Sequence, residues 1–146
     1  RRHRLRRALA LHWRRGDVLV DLHQEFLPYT PERVAAALHA LVEREHLGRF
    51  DAVVLLTDAF SSPELARMKQ SLGQSLAVPV VRFDAATDLT RSFDPEHQID
   101  DVIMDLALGM AADAVVGTYA GSNFFNLMSK RARQSFILPL DRPTAP

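Results

Sequence analysis

Two short stretches of this 146-residue chain carry residues able to hold an anion. The first is His12-Trp13-Arg14-Arg15-Gly16-Asp17, which closes the apolar run Ala8-Leu9-Ala10-Leu11-His12. A guanidinium stays charged at every physiological pH, and its planar fork of donors fits two phosphate oxygens at once. Arg14 and Arg15 on a turn are therefore suited to a phosphate, and Asp17 to steadying one of them or meeting a sugar hydroxyl. A solvated basic turn is the plain alternative. The second stretch is Gly117-Thr118-Tyr119-Ala120-Gly121-Ser122-Asn123. Small residues let a backbone approach a ligand, and a helix start presents N–H groups to an anion. Ser122 adds a hydroxyl. The plain alternative is a strand-to-helix turn capped by Ser122 or Asn123.

Carboxylates are the next candidates. Asp58 in Thr57-Asp58 could accept from a sugar or base, or cap the following turn. Asp100, Asp101 and Asp105 fall near a helix start, where a carboxylate suits the helix dipole. Asp105, a full turn inside and flanked by Met104 and Leu106, is least explained by capping. There is no Gly-x-Gly-x-x-Gly, Walker loop, His-Glu-x-x-His or Gly-x-Ser-x-Gly, and no Asp-x-Asp metal–diphosphate pair. His12 and His23 with Asp17 or Glu25 make only a weak metal constellation, so no metal is expected. His39 and His46 read as surface residues, and Trp13 and Phe124-Phe125 as packing.

The elements that must position these residues alternate along the chain. Ala8-Leu9-Ala10-Leu11-His12 reads as a strand, and 18–28 as a loop or short strand. Thr30-Pro31-Glu32 opens a helix, with Thr as cap and Pro in the first turn. Val34, Leu38, Leu41 and Val42 carry it to about Leu47, and Gly48 stops it. Strands are expected over 52–57, 78–83 and 114–117, with a last extended piece over 135–138. Pro79 makes the strand over 78–83 an edge or a strand start. Helices are expected from Ser62-Pro63-Glu64 to near Gly73, over 99–112, and from Gly121-Ser122 to about Arg131. The helix over 99–112 carries Ile99, Val102, Ile103, Leu106 and Met110 on one side, and a polar loop precedes it over 84–97. Continuous apolar strands alternating with helices predict an α/β fold, a Rossmann-like parallel sheet with helices on both faces. Such sheets bind ligands at the carboxyl ends of their strands, which is where the two anion-holding stretches fall.

Composition narrows the class. The chain has 47% apolar residues and balanced charge, as one globular domain does. It has no Cys, hence no disulfide framework and no Cys-based zinc site. No apolar run reaches the ~18 residues of a membrane helix, and no signal peptide is legible. The chain opens on Arg1-Arg2-His3-Arg4 without Met, as expected of a fragment or processed chain. Seven Arg fall within residues 1–15, leaving 11 basic residues against 18 acidic ones elsewhere. A basic end on an acidic body suggests an anionic partner near the start. Nucleic acid is not expected, because no aromatic interleaving or recognised module accompanies the arginines and the body is acidic.

With these residues in hand, the chain resembles the donor-binding half of the fucosyltransferase superfamily. That group contains the α-1,6-fucosyltransferases, the bacterial nodulation fucosyltransferase and the protein O-fucosyltransferases. Its His-x-Arg-Arg with a following Asp is matched by His12, Arg14, Arg15 and Asp17, and its strand ending in Thr-Asp by Thr57-Asp58. Its helix Asp, then Ala-Asp, a strand, Gly-Thr and a Ser-rich turn are matched by Asp105, Ala112-Asp113, 114–116, Gly117-Thr118 and Ser122. The match covers roughly residues 8–131. Two positions depart from the pattern. Val18 stands where α-1,6 members have Lys, and Gly121-Ser122 replaces a Ser-Ser or Ser-Thr pair.

The resemblance implies one domain over 1–146, half of a two-domain GT-B glycosyltransferase whose N-terminal acceptor domain is missing here. It implies GDP-fucose as donor, a glycan or protein acceptor, no metal and no other cofactor. Arg14 would bind the β-phosphate and stabilise the leaving GDP, and Asp105 would read the guanine or ribose. Gly121, Ser122 and Asn123 would donate to the phosphates, with His12, Arg15, Asp17 and Asp58 beside them. Asp21 and Glu25 are the candidates for the catalytic base. Eukaryotic relatives work in the secretory pathway and nodulation enzymes in the bacterial cytosol, so the compartment stays open. The other readings are a non-catalytic Rossmann-like module that binds a nucleotide or glycan, and nucleic-acid binding through the basic end.

Overall fold

A computed structural model describes residues 7–14, 30–57, 63–82, 95–119 and 122–139, with no side chains over 95–101. The elements are β1 (Ala8–Trp13), α1 (Pro31–Arg44), β2 (Ala52–Thr57), α2 (Pro63–Leu76) and β3 (Val80–Val81). They continue as α3 (Pro95–Ala111), β4 (Ala114–Gly117), α4 (Asn123–Ser129) and β5 (Gln134–Ile137). All five strands are parallel, in the order β3-β2-β1-β4-β5. The fold is α/β and Rossmann-like, as the strand-helix alternation predicts.

Successive strand residues face opposite sides, so the central strands feed two cores. Leu9, Leu11 and Trp13 of β1 pack with Val34, Leu38 and Leu41 of α1 and Leu65, Met68 and Leu72 of α2. Ala10 of β1, Val54 and Leu56 of β2 and Val115 of β4 pack on the other face with Phe125 and Met128 of α4. Leu106, Leu108 and Met110 of α3 close that second core. With both faces covered, β2 is buried at all six positions and β4 at all four, which is why neither alternates in hydropathy.

The helix starts follow the local signals. Thr30 caps α1, its hydroxyl oxygen accepting from the Arg33 N–H at 3.4 Å, and Pro31 takes the first position. The ends differ from expectation in four places. First, α1 stops at Arg44, before Leu47, where His46 adopts φ 50° and Gly48 φ 74°. Second, α2 runs through Gly73 to Leu76, and the left-handed Ala77 (φ 53°) ends it. A glycine weakens a helix without having to stop it. Third, β3 is only Val80–Val81 rather than 78–83. Pro79 has no N–H for a ladder, though its carbonyl accepts from the Val53 N–H at 2.9 Å. Fourth, α4 covers only Asn123–Ser129, with Ser122 as cap, and stops short of Arg131.

α3 departs most. It begins at Pro95, inside the expected polar loop, and Val102 and Ile103 are exposed (53% and 58%) rather than buried. The helix rests on the sheet through its last two turns. A Cβ on Gly109 would run into the Met128 side chain and lie 3.0 Å from Leu56 Cδ1, so the helix backbone passes close to both here. Val102 and Ile103 share the helix face of Leu106 and Met110, so their exposure reflects their place along the axis, in the turns that precede this seat. Among the described residues no helix is long and apolar enough to cross a membrane.

Candidate functional site

β1 lies at the centre of the sheet. From it the chain winds outward through β2 and β3 on one side, then crosses to β4 and β5 on the other. The strand order therefore reverses between β1 and β4, and the crevice beyond their carboxyl ends is where open α/β sheets bind ligands. Register pairs His12 with Gly117 and Trp13 with Thr57. Arg14 and Gly117-Thr118-Tyr119, more than a hundred residues apart in sequence, thus leave the sheet side by side.

The two stretches are hydrogen-bonded together. The Thr118 N–H donates to the His12 carbonyl at 3.1 Å, and the Thr118 hydroxyl to the same oxygen at 3.4 Å. Arg14 is half-buried, and its guanidinium carbon lies over the Tyr119 ring, 5.9 Å from the centroid. Tyr119 in turn accepts at its carbonyl from the Ser122 N–H at 3.3 Å. Ser122 is buried and caps α4, its hydroxyl oxygen accepting from the Phe125 N–H at 3.3 Å. Asn123 is exposed in the first turn of that helix. Gly117 has a packing reason to be small: a Cβ there would meet three atoms of the Phe125 ring at 2.6–2.9 Å.

His12 is buried on the α3–α4 face, its ring tilted 38° against Phe124 at 5.2 Å. Trp13 points the opposite way into the first core, and its buried Nε1 has no hydrogen-bond partner among the described residues. Asp105 is half-buried in α3, ten residues after Pro95. A helix dipole acts within the first turn, so capping does not account for this carboxylate. α3 and α4 both run away from the carboxyl edge, and Gly109 faces Met128. α3 and α4 cover the same face of the sheet, the face on which His12 meets Phe124, so Asp105 stands on a helix of that face.

The structure thus gathers His12, Arg14, Ser122 and Asn123 at the β1–β4 crevice, with Asp105 on the adjoining helix face. Arg15, Asp17, Asp21, Glu25, Asp58 and Gly121 lie outside the described residues, as does Val18. Among the described residues no group of three or more His, Asp or Glu could hold a metal ion.

Sequence reasoning missed Arg82. It stands at the carboxyl end of β3, and its guanidinium donates to the Thr57 carbonyl at 3.4 Å. A second cation therefore lies on the same edge, and an Arg directly after the Val80-Val81 run was the available signal. Of the basic end, only Arg7 and Arg14 lie among the described residues. The Arg7 guanidinium donates to the Leu47 carbonyl at 2.8 Å beyond the end of α1, and lies over the Phe50 ring at 5.1 Å. Arg7 precedes β1 and Arg14 follows it, so they sit at opposite edges, roughly 20 Å apart at ~3.3 Å per residue. Among the described residues, Arg7 and Arg14 therefore do not belong to one patch.

No protein-family model matches the chain, and no curated protein matches it in sequence. Among solved structures it is similar to the crystal structure of NodZ alpha-1,6-fucosyltransferase soaked with GDP-fucose, with a TM-score of 0.52 and 18% identity. The likeness covers 95% of this chain and 40% of that one. The chain therefore spans about two fifths of that neighbour's length. At this identity the likeness is one of fold: the Rossmann-like sheet is of the kind found in half of a GT-B fucosyltransferase.

Proposed function

We propose that this chain is the donor-binding domain of a fucosyltransferase-like GT-B glycosyltransferase. It would take GDP-fucose and transfer the sugar, with inversion and without a metal, to a glycan or protein acceptor held by a second domain. The observation that carries the reading is the meeting of Arg14 with Thr118 and Tyr119 at the β1–β4 switch point, tied by the Thr118–His12 hydrogen bond. As the glycosidic C–O bond breaks, negative charge grows on the departing diphosphate. A guanidinium already in place stabilises charge where it develops, without reorganising at the moment of reaction. In this reading Arg14 and Arg15 take the phosphates, with N–H groups of 121–123. Asp105 and His12 face the nucleoside, Asp17 and Asp58 support the site, and Asp21 or Glu25 accepts the acceptor's proton.

Calorimetric titration of the chain with GDP, with ADP and UDP beside it, tests the reading on wild type and Arg14→Ala. GDP is expected to bind most tightly. Losing a charge-assisted contact costs about 1.5–3 kcal/mol, which is roughly tenfold to more than a hundredfold in affinity. A folded chain that ignores GDP, or binds it equally well without Arg14, would overturn it. A second reading, a non-catalytic module that binds a nucleotide or glycan, has one observation in its favour. The Ser122 oxygen and the Phe125 N–H already serve each other in the cap of α4, which leaves that pair engaged within the helix rather than with a ligand.

A further inference from the structure

We propose that Tyr119 is a positioning residue for Arg14, holding its guanidinium in the crevice and so setting the affinity for phosphate. The inference rests on the donor-site reading above. The observation is the placement of the Arg14 guanidinium carbon over the Tyr119 ring at 5.9 Å, within the range of a cation–π attraction. At that distance the ring attracts the guanidinium without itself taking up its N–H donors, which leaves the fork geometry compatible with two oxygens of one anion. An Arg side chain on its own samples many rotamers, and binding must then restrict them. A ring that already restricts them removes part of that cost.

Tyr119 is built to hold still while facing the crevice. The residue before it is hydrogen-bonded to β1 through the Thr118 N–H and hydroxyl, and its own carbonyl accepts from the Ser122 N–H. Its side chain is 37% exposed, so the ring reaches solvent at the crevice rather than filling the core. This gives the aromatic residue a role that the packing of the second core does not require: Phe124, Phe125 and Met128 supply that packing.

The test is GDP affinity by calorimetry for wild type, Tyr119→Phe, Tyr119→Leu, Arg14→Ala and the Arg14→Ala/Tyr119→Leu double variant, with folding checked by circular dichroism and thermal melting. Tyr119→Leu is expected to weaken GDP about threefold to tenfold while melting like wild type. Tyr119→Phe keeps the ring and is expected to keep the affinity. In the Arg14→Ala background Tyr119→Leu is expected to change nothing further, because nothing is left to position. If Arg14→Ala weakens GDP but Tyr119→Leu does not, the role of Tyr119 falls and the donor site stands. If Tyr119→Phe is as weak as Tyr119→Leu, or the two losses add in the double variant, Tyr119 acts through its hydroxyl or on its own, and the inference falls. If Arg14→Ala leaves GDP affinity unchanged, or GDP does not bind, the donor-site reading falls and this inference with it.

Discussion

Replacing Gly117 by Ala separates two explanations of the same residue. It ends β4 inside the candidate site, and a small residue there could serve either a ligand or the fold. A Cβ at this position would meet Cδ2, Cγ and Cε2 of Phe125 at 2.6, 2.8 and 2.9 Å. Carbon atoms settle at about 3.5–4.0 Å, so the ring must move by about 1 Å. Phe125 has little room, being 5% exposed among Ala10, Val54, Leu56, Val115 and Met128. Its N–H also donates to the Ser122 cap at 3.3 Å, so a shifted ring drags the start of α4 with it. Overpacking of this kind costs about 1–3 kcal/mol. Because no positive φ is required at Gly117, alanine recovers about 0.5–1 kcal/mol of backbone entropy. The expected net loss is about 1–1.5 kcal/mol, or about 2–6 °C in Tm for a domain of this size.

Urea unfolding of Gly117→Ala, Phe125→Leu and the double variant measures it, with an unchanged m-value marking a true change in stability. Leucine keeps a Cγ and two Cδ atoms but loses Cε2 and the rigid ring plane, so it can turn aside from the new Cβ, and the double variant is expected to be more stable than the two losses added together, by about 1 kcal/mol. A Gly117→Ala chain within about 0.5 kcal/mol of wild type, or strict additivity in the double, would refute the packing account. If stability holds and GDP binding is what weakens, Gly117 is small for the ligand and the argument from Phe125 is wrong.

Arg7→Ala removes the guanidinium bond to the Leu47 carbonyl and the contact over Phe50, and is expected to cost about 1–1.5 kcal/mol in thermal unfolding without touching nucleotide affinity. Ala77→Gly is expected to stabilise by about 0.5–1 kcal/mol, since the φ of 53° that ends α2 is left-handed and glycine adopts it without a Cβ penalty; a loss of urea midpoint would contradict this. The Glu32 carboxyl titrates below its ordinary value, held there by a backbone N–H at the start of α1 and by the paired Arg67 guanidinium at 2.8 Å. A carboxyl lowered by folding adds stability above its unfolded pKa and loses it as pH falls through the lower folded value. Glu32→Gln should therefore flatten the acid limb of a stability–pH profile and leave the alkaline limb unchanged, and an unchanged acid limb would show the exposed pair to be inert.

The parallel sheet was legible because β2 and β4 read as unbroken apolar runs, which only burial on both faces explains. Thr30-Pro31-Glu32 marked its helix start for local reasons that no distant contact could override. Strand order was not legible, since β1 lies between β2 and β4 by long-range pairing and no local signal records it. The apolar face of α3 was legible, but how far along it burial extends was not: Val102 and Ile103 share the face of Leu106 and Met110 and lie in the turns before the seat at Gly109. At the site, the positions of Arg14 and Ser122 followed from strand ends and turn chemistry. Arg82 went unnoticed because its significance lies in the carbonyl it reaches, at Thr57 on the neighbouring strand.

Long-range ties also explain why the spacing of the two candidate stretches carries information. At the amino edge, Asp113 accepts the Ala8 N–H on its carboxylate at 3.0 Å and donates its own N–H to the Ala8 carbonyl at 2.9 Å. At the carboxyl edge, Thr118 donates to the His12 carbonyl through its N–H and its hydroxyl. Between these ties the ladder pairs Leu9 with Ala114 and His12 with Gly117. Asp113 and Thr118 therefore measure out β4 against β1, and an inserted or deleted residue between them would break one tie or the other. A parallel register that slips by one residue also exchanges the faces of every side chain, sending Val115 out of the core it shares with Ala10. The Ala-Asp-strand-Gly-Thr spacing is thus a ruler for β1. What it fixes is where the chain emerges beyond the last tie, with Tyr119 beside Arg14. The spacing along β4 is therefore what sets Tyr119 against Arg14 at the carboxyl edge.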